Sequence, residues 1–371
     1  MLIRPVQYRD LEAVRRLYEA TTPTVPFLAE NMLLPGRGLH RLYGPVKLLS
    51  LFPNPLQHLF CLHVAQLEGQ IVGCVQVRPS NVSHTTWQVE HIAVDPGLAA
   101  QAGIATRLLQ HVFEYYSYQA RNWLVEVEIH DRVGLALYRE NGFQRLAEHS
   151  YWRLAPVALA DLVRCETQLL NLRPVSNADA ALLCHLESST MPSEIRQVYD
   201  RHPNDFYRGL ATRVIDASAR VVNHVEHVSQ YVYEPQRQAA IGSFDLFVST
   251  NGLQAHRVQL HVHPGYTWLY PQLAGHIAHI LTHYPTQELH LVSADYQHKL
   301  EEFLGQTAAA EILERRLLMA RSVWRKKSQV RIALENLQLP EMLPGFSLGK
   351  PLPEPIQRHE ASTKPPEPPS R

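Results

Sequence analysis

No run in this chain approaches the roughly 18 consecutive apolar residues that a membrane helix needs, so no segment is expected to span a bilayer. Cysteine is scarce. The four present (Cys61, Cys74, Cys165, Cys184) form no Cys-x-x-Cys pair, which argues against a disulfide framework or a thiolate zinc site and suits a reducing cytoplasm. Net charge is absent, with 35 Lys and Arg against 35 Asp and Glu. That balance argues against a broad nucleic-acid-binding surface, and no nucleic-acid partner is expected. Arg4 interrupts the amino terminus before the apolar core of a signal peptide could form, so a cytoplasmic location is expected. What is present is 45% hydrophobic against 19% charged residues in a chain of 371, enough to bury real cores in two or three domains of about 150 residues each.

The carboxyl end is the simplest part. Residues 336–371 carry prolines every few positions and almost no apolar pattern after Phe346, and read as a disordered tail. The first 155 residues instead alternate strand and helix signals. Asp10 stands before a helix with Leu11, Val14, Leu17 and Tyr18 on one face. Strands at Leu59–Leu67 and Gln70–Arg78 meet through Glu68-Gly69, a hairpin signal. Val89–Val94 is a third strand, stopped by Asp95-Pro96-Gly97. A helix from Gln101 to about Tyr118 carries the stripe Ile104, Leu108, Leu109, Val112, Phe113 and Tyr116. Strand Leu124–Ile129, helix Asp131–Asn141 and closing strand Phe143–Leu154 complete the order β-α-β-β-β-α-β-α-β.

Then the pattern begins again. Ile3-Arg4-Pro5-Val6 with Asp10 reappears as Leu172-Arg173-Pro174-Val175 with Asp179, and Val94-Asp95-Pro96-Gly97 as Val262-His263-Pro264-Gly265. Near-equal offsets at separated landmarks predict a duplicated α/β domain: 1–156, a linker at 157–169, and a second copy at 170–335, each copy with its own core.

Chemistry is most legible between the third strand and its helix, Val94-Asp95-Pro96-Gly97-Leu98-Ala99-Ala100-Gln101-Ala102-Gly103-Ile104-Ala105-Thr106-Arg107. A helix start leaves up to four backbone N–H groups without partners, backed by the positive end of the helix dipole. Gly103 and Ala105 have little or no side chain, so a phosphate could approach that backbone closely. The same residues also suit a tight helix start with glycine for packing. Downstream stand Asp131, Gly134 and Leu137-Tyr138-Arg139-Glu140-Asn141-Gly142-Phe143.

Together, over residues 1 to about 155, these features resemble the GCN5-related N-acetyltransferase (GNAT) family. The resemblance implies a three-layer α/β sandwich, duplicated in tandem, whose splayed central strands hold acetyl-CoA and pass its acetyl group directly to an amine. The family's loop falls on Ala100-Gln101-Ala102-Gly103-Ile104-Ala105, with Ala100 where the family has Arg or Gln. It implies a pyrophosphate held by the backbone of Gln101, Ala102, Gly103, Ile104, Ala105 and Thr106, and a pantetheine arm along Ile92 and Val94. The family's Asn-x-x-Ala-x-x-Leu-Tyr falls on Asp131-x-x-Gly134-x-x-Leu137-Tyr138. Tyr138 is then the candidate acid for the departing thiolate, or else a core tyrosine. Glu90, read as alternating with Ile92 and Val94 on one strand face, is the candidate acceptor of the amine's proton, or else an ordinary strand carboxylate. Glu126 and Glu128 are weaker candidates, and His91 and His130 weaker still.

Carried over by the repeat offset, Gly103 falls on Pro271 and Glu90 on Val258, and Leu300–Gly305 resembles the Leu-Tyr-x-x-x-Gly pattern with Glu301 at the tyrosine position, so the second copy reads as chemically empty. His261 with His263, and His276 with His279 and His283, share faces, but no Cys, Asp or Glu completes a ligand set, and no metal is expected. Residues 32–56 interleave leucines with Arg37, Arg41 and Lys47; they read as a helical pair walling the acceptor site, with membrane-surface contact as the alternative. The expectation is an acetyl-CoA-dependent N-acetyltransferase with an amine acceptor. The alternative is a non-catalytic acetyl-CoA-binding or interaction protein on the same scaffold. The acceptor and the oligomeric state are left open.

Overall fold

The computed structural model describes residues 1–21, 61–98, 103–164, 169–207, 209 and 224–322. The 32–56 segment, the 336–371 tail, and Ala99, Ala100, Gln101 and Ala102 lie outside the described residues. Strand β1 (Leu2–Pro5) leads through a 3-10 turn at Tyr8–Asp10 into α1 (Leu11–Thr21). The Asp10 carboxylate accepts from the Gln7 amide at 2.8 Å and pairs with Arg4 at 2.5 Å, which fixes the entry to the helix. Leu11, Val14, Leu17 and Tyr18 are buried, as their spacing predicts.

Next come β2 (Cys61–Leu67), β3 (Gln70–Pro79) and β4 (Thr86–Val94). Glu68 and Gly69 both take positive φ, 49° and 87°, the two-residue turn whose twist matches the strands it joins. Then follow α2 (Ile104–Tyr115), β5 (Asn122–Glu128), α3 (Arg132–Glu140) and β6 (Gln144–Leu154). The order is the expected one. The second copy repeats it with β7 (Leu172–Pro174), α5 (Ala180–Thr190), β8 (Val225–Glu234), β9 (Ala239–Ser249), β10 (His256–Val262), α7 (Leu269–Leu281), β11 (Leu289–Ala294), α8 (His298–Gln306) and β12 (Ala310–Ser322). Between the copies, within the stretch expected as a linker, α4 (Pro156–Val163) buries Ala158, Leu159 and Leu162 in the second core. Helix α6 (Ser193–Tyr199) follows α5.

All described strands join one 12-stranded sheet in the order β1-β2-β3-β4-β5-β12-β6-β11-β10-β9-β8-β7. Among the described strands, only β4–β5 and β10–β11 pair in parallel. The two copies have exchanged their last strands. β12 lies between β5 and β6, and β6 pairs with β11 of the second copy. Leu317 and Met319 of β12 therefore complete the first core under α2, while Trp152 and Leu154 of β6 belong to the second. The expected closure of each copy on its own last strand is corrected here. Strand alternation shows which faces are buried but not which strand lies alongside.

A further tie runs across the copies. Ile195 and Val198 of α6 pack on Leu124, Ala147 and Leu318, and the Val198 carbonyl accepts from Thr86 Oγ1 (2.5 Å) and Asn122 Nδ2 (3.1 Å).

Candidate active site

The parallel pairing of β4 with β5 runs from Thr86↔Asn122 to Val89↔Val125 and then stops, although both strands continue. Beyond Val89 the strands part. Ile92 and Val94 still pair with Val75 and Gly73 on the other side and pack against the α2 core, so the β4 edge facing the gap is backbone without a described strand partner. At the open end stands the start of α2. Gly103 caps it in the left-handed region (φ 54°), and the first intrahelical bond is Arg107 N–H to Gly103 C=O at 2.9 Å. The amides of Ile104, Ala105 and Thr106 thus have no acceptor within the helix. The Ile104 side chain is buried against Gly73, where a Cβ would come within 3.1 Å of it, so glycine at 73 lets the helix start lie close to the sheet.

Glu90 departs from the sequence reading. The β3–β4 ladder passes from Gln76↔His91 to Val77↔Val89, leaving Glu90 as the extra residue of a β-bulge. The bulge breaks the alternation. Ile92 and Val94 stay on the α2 side, while Glu90 and His91 both turn to the α1 side, so the single shared face read for Glu90, Ile92 and Val94 is corrected. There Glu90 accepts from Gln76 Nε2 at 2.6 Å and pairs with Arg78 Nε at 2.5 Å, and Gln76 accepts from the Tyr18 hydroxyl at 3.0 Å. Burial raises the Glu90 carboxyl above its ordinary range, against the opposing pull of Arg78 and Gln76. His91 stacks on Tyr18 and is pushed down to about 4 by burial and then by the charge of Arg316, so it is neutral near pH 7.

Arg78, Glu90 and His91 line a polar cavity of about 520 Å³ built from both copies. β5 supplies Glu126, β6 supplies His149 and Tyr151, and β12 supplies Arg316. From the second copy come Glu187, Arg201 and His261. Most charges are met. Arg201 donates to Glu187 at 2.9 Å and to the Ser80 carbonyl at 2.9 Å, and Arg316 stands 2.6 Å from Glu314. Glu126 takes His149 Nδ1 at 2.9 Å on one oxygen and the Tyr151 hydroxyl on the other. Sequence reading ranked Glu126 low and passed over His149 and Tyr151.

Tyr138 lies elsewhere, in the core on the α2 side, with its ring edge-on to Phe143 at 5.4 Å. Burial, and then the charge of Asp131, raise its hydroxyl pKa well above the ordinary tyrosine value. Tyr138 and Glu90 are therefore on opposite faces of the sheet. Asp131 caps α3, its Oδ1 accepting from the Gly134 amide at 2.9 Å. A Cβ at position 134 would collide with that carboxylate, which accounts for Asp and Gly occurring together. Glu128 is exposed on the far end of β5.

Three repeat placements need correction. Val258 ends the β10–β11 pairing as Val89 ends β4–β5, and β10 pairs with β9 without a bulge, so Val258 matches Val89 and Glu90 has no counterpart. Leu269 and Leu273 close on Gly242 as Ile104 and Leu108 close on Gly73. Ten positions separate Val94 from Ile104 but seven separate Val262 from Leu269, so Trp268, not Pro271, stands where Gly103 does. Trp268 is right-handed (φ −62°), and Pro271 removes an amide from the first turn of α7. Gly305 lies inside α8 whereas Gly142 follows α3 at φ 84°, so Glu301 does not occupy the Tyr138 position; it accepts from Ser150 and Ser293 instead.

Among the described residues no group of three or more His, Cys, Asp or Glu is placed to hold a metal. His263 Nδ1 accepts from the Gly265 amide, and His276 meets Gln230 at 3.0 Å. Nor is any described helix long and apolar enough to cross a membrane.

Residues 58–145 match the acetyltransferase (GNAT) domain. No curated protein matches the sequence. Among solved structures, a tandem GNAT protein from the clavulanic acid biosynthesis pathway, without acetyl-CoA, is similar at a TM-score of 0.55 and 16% identity, covering 87% of this chain and 99% of that one. A GCN5-related N-acetyltransferase from Sphaerobacter thermophilus is similar at 0.51 and 12% identity, covering 86% and 95%. At these identities the likeness is one of fold.

Proposed function

We propose, for a chain that belongs to the GNAT acetyltransferases and carries their fold in tandem, that the amino-terminal copy moves an acetyl group from acetyl-CoA directly to a primary amine. The observation that carries this reading is the parting of β4 from β5 after Val89, with the amides of Ile104, Ala105 and Thr106 at one end and the Glu90 bulge at the other. A pyrophosphate would take those amides together with Gln101, Ala102 and Gly103. The pantetheine arm would add to the free edge of β4 at Ile92 and Val94, as an extended ligand adds to a strand. Asp131 shapes the start of α3 and reaches the cofactor only through that helix.

The thioester then lies in the gap, its sulfur toward Tyr138 and its carbonyl carbon toward the cavity. Glu90, with its raised carboxyl, draws in an ammonium and takes a proton from it, freeing the lone pair that attacks the carbonyl carbon. Tyr138, protonated at any physiological pH, supplies the proton that the leaving thiolate needs. The second copy lacks the bulge, the left-handed glycine and the tyrosine, and serves by walling the cavity. Purified protein given acetyl-CoA and a panel of amines should release free thiol only when an acceptor is present. Thiol release that ignores the amine would defeat the reading.

A further inference from the structure

An ammonium must lose two protons to become an amide nitrogen, and Glu90 accounts for one. The same cavity holds a second group built to receive a proton. His149 Nδ1 is committed to Glu126 Oε1 at 2.9 Å, and the other Glu126 oxygen is held by the Tyr151 hydroxyl. Glu126 comes from β5 and His149 from β6, so this bridge passes over β12, which the strand exchange inserts between them. A carboxylate held at both oxygens fixes the tautomer and plane of the imidazole, and leaves Nε2 as its nitrogen for a ligand in the cavity. The arrangement is that of a carboxylate-oriented histidine base.

We infer that His149, oriented by Glu126, takes the second proton from the acceptor nitrogen. The inference rests on the proposed function and deepens it. After the amine attacks, a C–N bond has formed and the nitrogen is positively charged. Its proton passes to Nε2 of neutral His149 while the oxyanion's electron pair returns and the C–S bond breaks. The thiolate takes the Tyr138 proton. Glu90 and His149 then discharge one proton each; one restores Tyr138 and the other goes to solvent. The sum is ammonium plus thioester giving amide, thiol and one proton.

His149 faces charge on every side. Glu126 stands on β5, Arg316 and Glu314 on β12, Asp295 beyond β11, and Glu187 with Arg201 across the cavity. Burial lowers the imidazole pKa, but Glu126 and then Asp295 outweigh it and raise it overall. Loss of the Glu126 charge therefore has a definite sign. It must move the His149 titration to lower pH.

The test uses the full chain, acetyl-CoA, and a probe panel of glycinamide, ethanolamine, benzylamine and Nα-acetyl-lysinamide. The His149 titration is followed by NMR on histidine-labelled protein, and kcat/KM against pH on whichever probe is acetylated. For the wild type, kcat/KM should rise with pH through the NMR value of His149. His149→Gln should remove that limb and lower kcat by about 100- to 10,000-fold. Glu126→Gln should move both the limb and the NMR titration to lower pH. Tyr151→Phe keeps the ring and the ion pair but removes a donor that shares the Glu126 charge, so it should move both the limb and the NMR titration to higher pH; it serves if Glu126→Gln fails to fold. A wild type that acetylates no probe sinks the proposed function. Turnover that keeps its limb in His149→Gln, or a limb that stays put while the NMR titration moves, overturns the role of His149 alone.

Discussion

Met319 of β12 lies opposite Val125 of β5, and both are almost wholly buried in the core beneath α2. A residue from the end of the second copy therefore completes the core of the first. Met319→Ala should cost about 2–5 kcal/mol, the usual range for truncating a buried large side chain. Because the strand is shared, urea unfolding followed by tryptophan fluorescence and by far-UV dichroism should show one coincident, shifted transition. Two separated transitions, with one left at the wild-type midpoint, would mean that the copies fold independently.

The same exchange predicts the behaviour of a truncated chain. Residues 1–165 lack β12, so β5 and β6 lose the strand between them and the first core loses Leu317 and Met319. The shortened protein should aggregate or unfold at much lower urea than the full chain. Wild-type solubility and wild-type acetyl-CoA affinity for residues 1–165 would show that the exchanged strand is dispensable.

How far the sequence foretold this can be judged element by element. The stripe Ile104, Leu108, Leu109, Val112, Phe113 and the Glu68-Gly69 turn were legible because helix periodicity and turn chemistry are local. The left-handed turn at Gly103 was not legible, because a glycine at a helix start serves equally well for close packing. The Glu90 bulge was hidden, since an extra residue in one strand shows only against its partner. His149 was hidden for a related reason. Its partner Glu126 lies two strands away, and the order of strands in the sheet is not written in any one strand.

Gly103→Ala should separate backbone strain from packing. No atom lies within 4 Å of the added Cβ, so the cost comes only from holding φ at 54°, roughly 1–2 kcal/mol. A modest fall in Tm should accompany clearly weaker acetyl-CoA binding by calorimetry, because the αL turn aims the first amides of α2. The wild type should bind at a single site per chain, since the second copy has Trp268 at that place. Two equivalent sites, or full affinity in Gly103→Ala, would remove the loop from the account.

The Glu126–His149 pair also fixes a pH dependence of stability. Its histidine pKa is raised, so that contribution is present below the ordinary histidine value and is lost as pH rises through the folded value. Its glutamate pKa is lowered, so that contribution is present above the ordinary carboxylate value and is lost as pH falls. Glu126→Gln should thus destabilise most near pH 6, by about 3–5 kcal/mol for a broken buried pair, and less near pH 9. Urea midpoints at the two pH values check this. An equal loss at both would mean that the pair carries no charge.

Tyr138→Phe removes one oxygen, leaves the ring against Phe143, and so isolates the protonation of the leaving thiolate on which the proposed transfer depends. The account predicts near-wild-type Tm and acetyl-CoA affinity, with amine-dependent thiol release lowered by about 100- to 10,000-fold under conditions where chemistry limits the rate. Unchanged release under those conditions would contradict it, and would leave Tyr138 as a core side chain.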